Sequence, residues 1–111
     1  MRKVFVDARN VLRSEWPNIP EAELVDAVRA WAAEQGLEPV IVFDGAAPAG
    51  ATGSGAESAD DRLARETAAA AEPFWLVTSD RELRRRAGGR AERVLGGGRL
   101  ARELRRYRPR R

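Results

Sequence analysis

Three apolar runs, each closed by an aspartate, constrain this chain more than any other feature. They read V-F-V-D at residues 4–7, V-I-V-F-D at 40–44 and F-W-L-V-T-S-D at 74–80. None alternates apolar with polar residues, and continuous runs of this kind suit a parallel sheet covered on both faces. Strands are therefore expected at 3–7, 39–44 and 74–78, with a weaker fourth at 91–95. Between the first two lies a stretch where Leu24, Val25, Val28, Trp31 and Ala32 recur at three- and four-residue steps, the mark of a helix with one apolar face. Pro20 suits its first turn, Glu21 and Glu23 suit its dipole and Gly36 suits its stop, so the helix should cover 21–35. Further helices are expected over 58–71, 80–87 and 99–107. Residues 8–20 read as a loop, and the small-residue run 45–56 as the least ordered stretch. Strand and helix thus alternate. The expected architecture is one three-layer α/β domain over residues 1–111, with a parallel sheet of about four strands. In such sheets ligands bind beyond the carboxyl ends of the strands, near a switch in strand order.

The chain has no Cys and no His. That excludes a disulfide framework, thiolate chemistry, a Ser-His-Asp triad and imidazole metal ligands. Carboxylates, hard cations bound by them, and arginine electrostatics remain. Parallel strands place Asp7, Asp44 and Asp80 on one edge of the sheet, and E-S-A-D-D at 57–61 opens a helix there with Glu57, Asp60 and Asp61. Carboxylates gathered in this way repel one another and raise each other's pKa unless a cation sits among them. Mg²⁺ or Mn²⁺ takes oxygen ligands, needs only a few carboxylates and can activate water beside a phosphodiester.

Each acid also has a plainer reading. Asp7 with Asn10 suits an Asx turn and Asp44-Gly45 an ordinary turn. Ser58-x-x-Asp61 and Ser79-x-x-Glu82 look like capping boxes, and Asp60 and Asp80 suit a helix dipole. Singly the plain readings are favoured; jointly they weaken, since turns and caps do not require an acid at every strand end. Rival carboxylate sites fit poorly. A dehalogenase-type D-x-D is replaced by Asp7-Ala8-Arg9, and a receiver domain's late lysine is missing because the only Lys is Lys3. Neither a phosphate-binding G-x-x-x-x-G-K-S/T nor a dinucleotide G-x-G-x-x-G follows a strand, so no nucleotide cofactor is expected.

Charge is unevenly placed. Residues 1–80 carry seven Lys/Arg against fourteen Asp/Glu, whereas residues 81–111 carry thirteen Arg against three Glu. An acidic body with a basic C-terminal helix and tail suits a polyanion partner, or else a solvated arginine face. The first apolar run is too short for a signal peptide, and no run reaches the roughly 18 apolar residues of a membrane span. A cytoplasmic protein without membrane contact is the expectation. Trp31 and Trp75 fall on a helix face and a strand and read as core. Trp16 could stack on a base, although packing against Pro17 is the simpler reading.

The motifs resemble a known family. V-F-V-D-A-R-N at 4–10 resembles the D-G-Y-N start of NYN domains, in the YacP-like branch of the PIN-like nuclease superfamily. V-I-V-F-D-G at 40–45 is similar to that branch's second strand, E-S-A-D-D-R-L at 57–63 to its E-T-A-D-E-R-I, and L-V-T-S-D-R-E-L at 76–83 to its T-S-D motif. The four stand in family order across residues 3–106. The resemblance implies a PIN-like, Rossmann-like fold and a metal-dependent endoribonuclease acting on RNA, with a possible link to ribosomes. It implies Asp7, Asp60 and Asp80 as metal-site acids, Asn10 positioning the first aspartate or a water, and Asp44, Glu57 and Asp61 as additional candidate ligands. Thr78 and Ser79 would support the Asp80 turn or touch phosphate. The family's Gly-Tyr is here Ala8-Arg9, which removes an aromatic and offers Arg9 to phosphate. No Lys or Arg stands between Asp44 and Arg62, where relatives carry a basic loop and an edge strand. Substrate capture would then fall to Arg84, Arg85 and Arg102, with Arg86, Arg105 and Arg106 nearby. A monomer or weak homodimer is expected. The alternative is a non-catalytic RNA- or ribosome-binding module on the same fold.

Overall fold

The computed structural model describes residues 1–14 and 19–107. Trp16, Pro17 and Pro109 lie outside the described residues, so the base-stacking reading of Trp16 falls there too. Five strands, β1 (Lys3–Asp7), β2 (Glu38–Phe43), β3 (Thr52–Gly53), β4 (Phe74–Val77) and β5 (Arg93–Leu95), form one sheet in the order β3-β2-β1-β4-β5. Every pairing is parallel. Among the described residues five α-helices accompany them: α1 (Ala8–Arg13), α2 (Glu21–Gln35), α3 (Ala59–Ala68), α4 (Arg81–Ala87) and α5 (Gly97–Leu104).

Although the strands read as continuous apolar runs, their side chains alternate between two layers. Val4, Val6, Ile41, Phe43, Val77 and Leu95 pack with α1, α2 and α5, in a core that includes Trp31 and Leu100. Phe5, Val42, Phe74 and Leu76 face the other way, against Leu63 of α3 and Leu83 of α4. Phe5 and Phe74 meet edge to face with ring centroids 5.4 Å apart, a geometry that contributes about 1 kcal/mol beyond burial. Both faces are covered, which is why neither needs polar residues. Trp31 is core as expected, but Trp75 is half-buried, its ring capped by Arg93 at 4.8 Å.

The α2 helix spans the residues expected of it, and Gly36 ends it in the left-handed conformation at φ 73°. Three elements differ from expectation. Residues 8–13 form α1 instead of a loop: the helix starts directly after Asp7 and buries Ala8 and Val11. A fifth strand, β3, lies inside the small-residue run, where Thr52 and Gly53 pair with Val42 and Phe43. This is a built turn, held by Ser54, whose buried hydroxyl accepts from the Gly45 amide (3.0 Å) and donates to the Glu57 carbonyl (2.7 Å). Finally, α5 starts two residues earlier than expected, within the glycines, and residues 105–107 tighten into a 3₁₀ turn. Pro39 sits within β2 opposite Val4, on the part of the strand that β3 does not reach. Among the described residues no helix is long and apolar enough to cross a membrane.

Candidate active site

The strand order reverses at β1, so the crevice between the C-terminal ends of β1 and β4 is the sheet's switch point. Asp7 ends β1 there and is only 5% exposed. Val6 is in register with Val77, so Thr78 arrives beside Asp7. Thr78 Oγ1 donates to Asp7 Oδ2 (3.1 Å) and accepts from the Asp80 amide (3.1 Å), so one buried hydroxyl joins the two acids. Asp80 caps α4, its Oδ1 accepting from the Leu83 amide at 2.8 Å. The N-cap of that helix is therefore Asp80 and not the preceding serine. Ser79 serves another purpose: its amide donates to Asn10 Oδ1 (2.8 Å) and its hydroxyl accepts from the Gly97 amide (2.8 Å). Asn10 thus positions the β4–α4 corner through its side chain, while its backbone N–H reaches Asp7. Arg84 closes the corner, Nε donating to the Thr78 carbonyl at 2.9 Å.

The third acid comes from α3. Ser58 caps that helix as expected, its Oγ accepting from the Asp61 amide at 3.0 Å. Asp44 adds a second cap, Oδ1 accepting from the Ala59 amide at 2.7 Å. Asp60, in the first turn, is within electrostatic range of Asp7, Asp44, Asp61 and Asp80. Burial pushes the Asp7 carboxyl above the ordinary aspartate range, and the charge of Asp60 adds to this, while the hydrogen bonds from Thr78 and Asn10 pull the other way. Asp60 is likewise raised, first by burial, then by Asp80 and Asp44. Asp60 therefore bears on Asp7, and Asp80, Asp44 and Asp61 bear on Asp60, across a single crevice.

The remaining candidates sort by what they touch. Asp44 also pairs with Arg9, Oδ2 to Nε at 3.2 Å, so Arg9 lies at the crevice with its charge already partnered. Asp61 pairs with Arg86 at 3.0 Å. Glu57 turns to Arg65 on α3 at 2.5 Å. Arg85 pairs with Glu82 on the outer face of α4. Arg102 lies near Ser14: a Cβ at Gly98 would stand 3.8 Å from Arg102 Nη1 and from Ser14 Cβ. Arg13, not singled out from sequence, is close enough to Asp7 to lower its pKa. Gly97 was also missed as a site residue. A Cβ there would fall 2.2 Å from Asn10 Oδ1, so the backbone of α5 touches the group that holds Ser79. The run Gly96-Gly97-Gly98 at a strand end was the available signal, since consecutive glycines mark close backbone approach.

As a donor set, oxygen-only carboxylates gathered around a buried Asp7 suit a hard divalent cation. The set is open, however: among the described residues no three acids are drawn within reach of one ion. Mg²⁺ tolerates this, since it keeps several waters and takes only one or two carboxylates.

A parallel sheet in the order 3-2-1-4-5 is a doubly wound, Rossmann-like arrangement. The chain superimposes on two structures of Rae1 (YacP) from Bacillus subtilis. For a tryptophan-to-leucine variant the TM-score is 0.74 at 20% identity, covering 96% of this chain and 76% of that one. For unsubstituted Rae1 the TM-score is 0.68 at 20% identity, covering 96% and 75%. The fold is therefore that of a YacP-like NYN domain, as the four motifs led one to expect. The edge strand after β2 that the resemblance led one to look for is present here as β3. No family model and no curated protein matches the sequence.

Proposed function

We propose that this protein is a metal-dependent endoribonuclease, hydrolysing RNA phosphodiester bonds at the crevice between β1 and β4. One observation carries the reading: Asp7, buried at the switch point, is pushed toward its neutral form by burial and by the charge of Asp60. A carboxylate placed at that disadvantage has a purpose if a cation is to meet it. Mg²⁺ or Mn²⁺ would take one or two of Asp7, Asp60 and Asp80 directly and the rest through its waters, with Asp44 and Asp61 flanking. The ion, when bound, would activate water and stabilise charge on the phosphodiester. Thr78 keeps Asp7 and Asp80 aligned, Asn10 and Ser79 fix the corner that carries Asp80, and Arg9 and Arg13 offer positive charge to the substrate's phosphates. The sequence resemblance to the YacP-like branch implies the same activity, and the shared fold supports carrying it over.

The test is Asp7→Asn and Asp80→Asn on purified protein. Cleavage of a single-stranded oligoribonucleotide in Mn²⁺ should fall by at least a hundredfold in each, and the circular dichroism spectrum should stay native. Asp7→Asn should also raise Tm at neutral pH. A carboxyl whose folded pKa is raised destabilises the native state while ionised. That cost fades as pH falls through the folded value and is gone below the ordinary ~3.9, so the gain in Tm should vanish in acid. Full cleavage by both variants would reject the site.

A non-catalytic RNA- or ribosome-binding module is the second reading. The pairing of Arg9 with Asp44 and of Arg86 with Asp61 favours it, because arginine already neutralises part of the acidic rim. It predicts salt-sensitive RNA binding that survives loss of Asp7 and Asp80 without any metal-dependent cleavage.

A further inference from the structure

On the far side of α3 and α4 from the sheet's acidic edge lies a hollow of about 160 Å³. Thr67 and Ala68, at the end of α3, form one wall; Arg85, Arg86 and Ala87 of α4, with Gly89 and Arg90, form the rest. Three of the lining residues are arginines and none is acidic. Each arginine also has a partner that lies outside the hollow's lining. Arg86 reaches back to Asp61 at 3.0 Å, Arg85 leans on Glu82 within α4, and Arg90 donates to the Ala68 and Ala70 carbonyls at 2.9 and 3.2 Å. Arg90 thereby closes the carbonyl end of α3, the negative end of its dipole. Three arginines around a concavity with no acid in its lining suit a tetrahedral oxyanion, which would compete with the surface pairs to Glu82 and Asp61 for two of them.

Position narrows the ligand. Asp60 and Thr67 are seven residues apart on α3, which is roughly 10 Å along the axis. The hollow therefore lies one or two nucleotides from a phosphodiester at the crevice, and Arg86 borders both places. We propose that this hollow is a subsite for a second, uncleaved phosphate of the RNA strand, gripped by Arg85, Arg86 and Arg90. The inference rests on the nuclease reading for its substrate. It adds a direction: the strand leaves the crevice along the groove between α3 and α4.

The test uses the full chain with two fluorescein-labelled probes, a short oligouridylate and the dinucleotide UpU, which is too short to reach from crevice to hollow. Arg85→Gln removes one guanidinium whose only partner among the described residues is Glu82. Gly89→Leu fills the hollow without changing charge, since nothing lies within 4 Å of a Cβ there. In anisotropy titrations with Ca²⁺ in place of Mn²⁺, both variants should bind the oligouridylate several-fold more weakly. The slope of log K against log salt should flatten by about 0.7 for the lost contact in Arg85→Gln. In Mn²⁺, the ratio of kcat/KM for oligouridylate to that for UpU should fall in both. Unchanged affinity and slope in both variants would overturn the subsite. So would inorganic phosphate shifting the Arg85 and Arg90 side-chain NMR signals while the oligouridylate does not, which would mark a small-anion site. If the unsubstituted chain cleaves nothing but the binding differences hold, the nuclease reading fails and the phosphate subsite stands.

Discussion

Two connections meet at the acidic crevice and are built in opposite ways. The β4–α4 corner, Thr78 to Asp80, is tied to remote parts of the chain: Thr78 to Asp7, 71 residues away, Ser79 to Asn10, 69 away, and Ser79 again to Gly97. Its amide at Thr78 also donates to the Leu95 carbonyl at 2.9 Å. The stretch from Asp44 to Ser58 is tied mainly to itself. Gly45, Ser54 and Glu57 bond among themselves, the Gly55 amide donates to the Gly45 carbonyl at 3.1 Å, and Asp44 accepts from the nearby Ala59 amide; the stretch's remote ties are exposed ones, Arg9 to Asp44 and Arg29 to the Gly50 carbonyl. The first arrangement is a junction where three strand ends are registered against each other by buried groups; the second is a mostly local turn that delivers α3. Damage to the junction should therefore reach every acid in the crevice, and damage to the turn should stay local.

The largest effect is expected from Gly97→Val. Its Cβ would fall on Asn10 Oδ1, and with no free space the α1–α5 contact must open. The cost should be about 3 kcal/mol, the upper part of the overpacking range, seen as a lower urea midpoint, together with loss of RNA cleavage. Thr78→Val comes next. It keeps the shape but leaves the Asp80 amide and the Asp7 carboxylate without their shared partner, costing about 2 kcal/mol. That hydrogen bond also holds the Asp7 pKa down. Without it the acid limb of the pH–rate profile should move to higher pH, as ionised Asp7 appears only at higher pH. Ser54→Ala is the smallest: about 1 kcal/mol in the urea midpoint, with cleavage within a few-fold of the unsubstituted chain and no movement of that limb. Equal losses of cleavage in Ser54→Ala and Thr78→Val would break the distinction between the two connections.

The same contrast explains what the residues disclosed in advance. Strands β1, β2 and β4 were legible because a doubly covered strand has no choice but to be apolar throughout, and α2 because its apolar stripe runs the length of fifteen residues. Helix α1 was not, since six residues, A-R-N-V-L-R, are too few to show a period. Strand β3 has only two residues, and its pairing comes from β2 rather than from any β-forming sequence. At the site, Asp7, Asp60 and Asp80 could be named because strand ends and a helix start put them on one edge. Their connection through Thr78, and the hold of Asn10 and Gly97 on Ser79, depend on register between segments far apart in the chain, which no local pattern carries. The arginines were legible as charge but not as partners: Arg9 and Arg86 prove to face carboxylates, and only packing decides that.

Pro39 bears on a different matter, how the sheet ends. The Glu38 amide bonds inward to the Arg2 carbonyl, so the next residue along β2 faces outward. That residue is Pro39, which has no N–H to offer, and β3 covers only the last two residues of the strand. An incoming strand from another molecule would meet a missing rung where the ladder should begin. Backbone chemistry, rather than surface charge, makes this flank a poor template for a further strand.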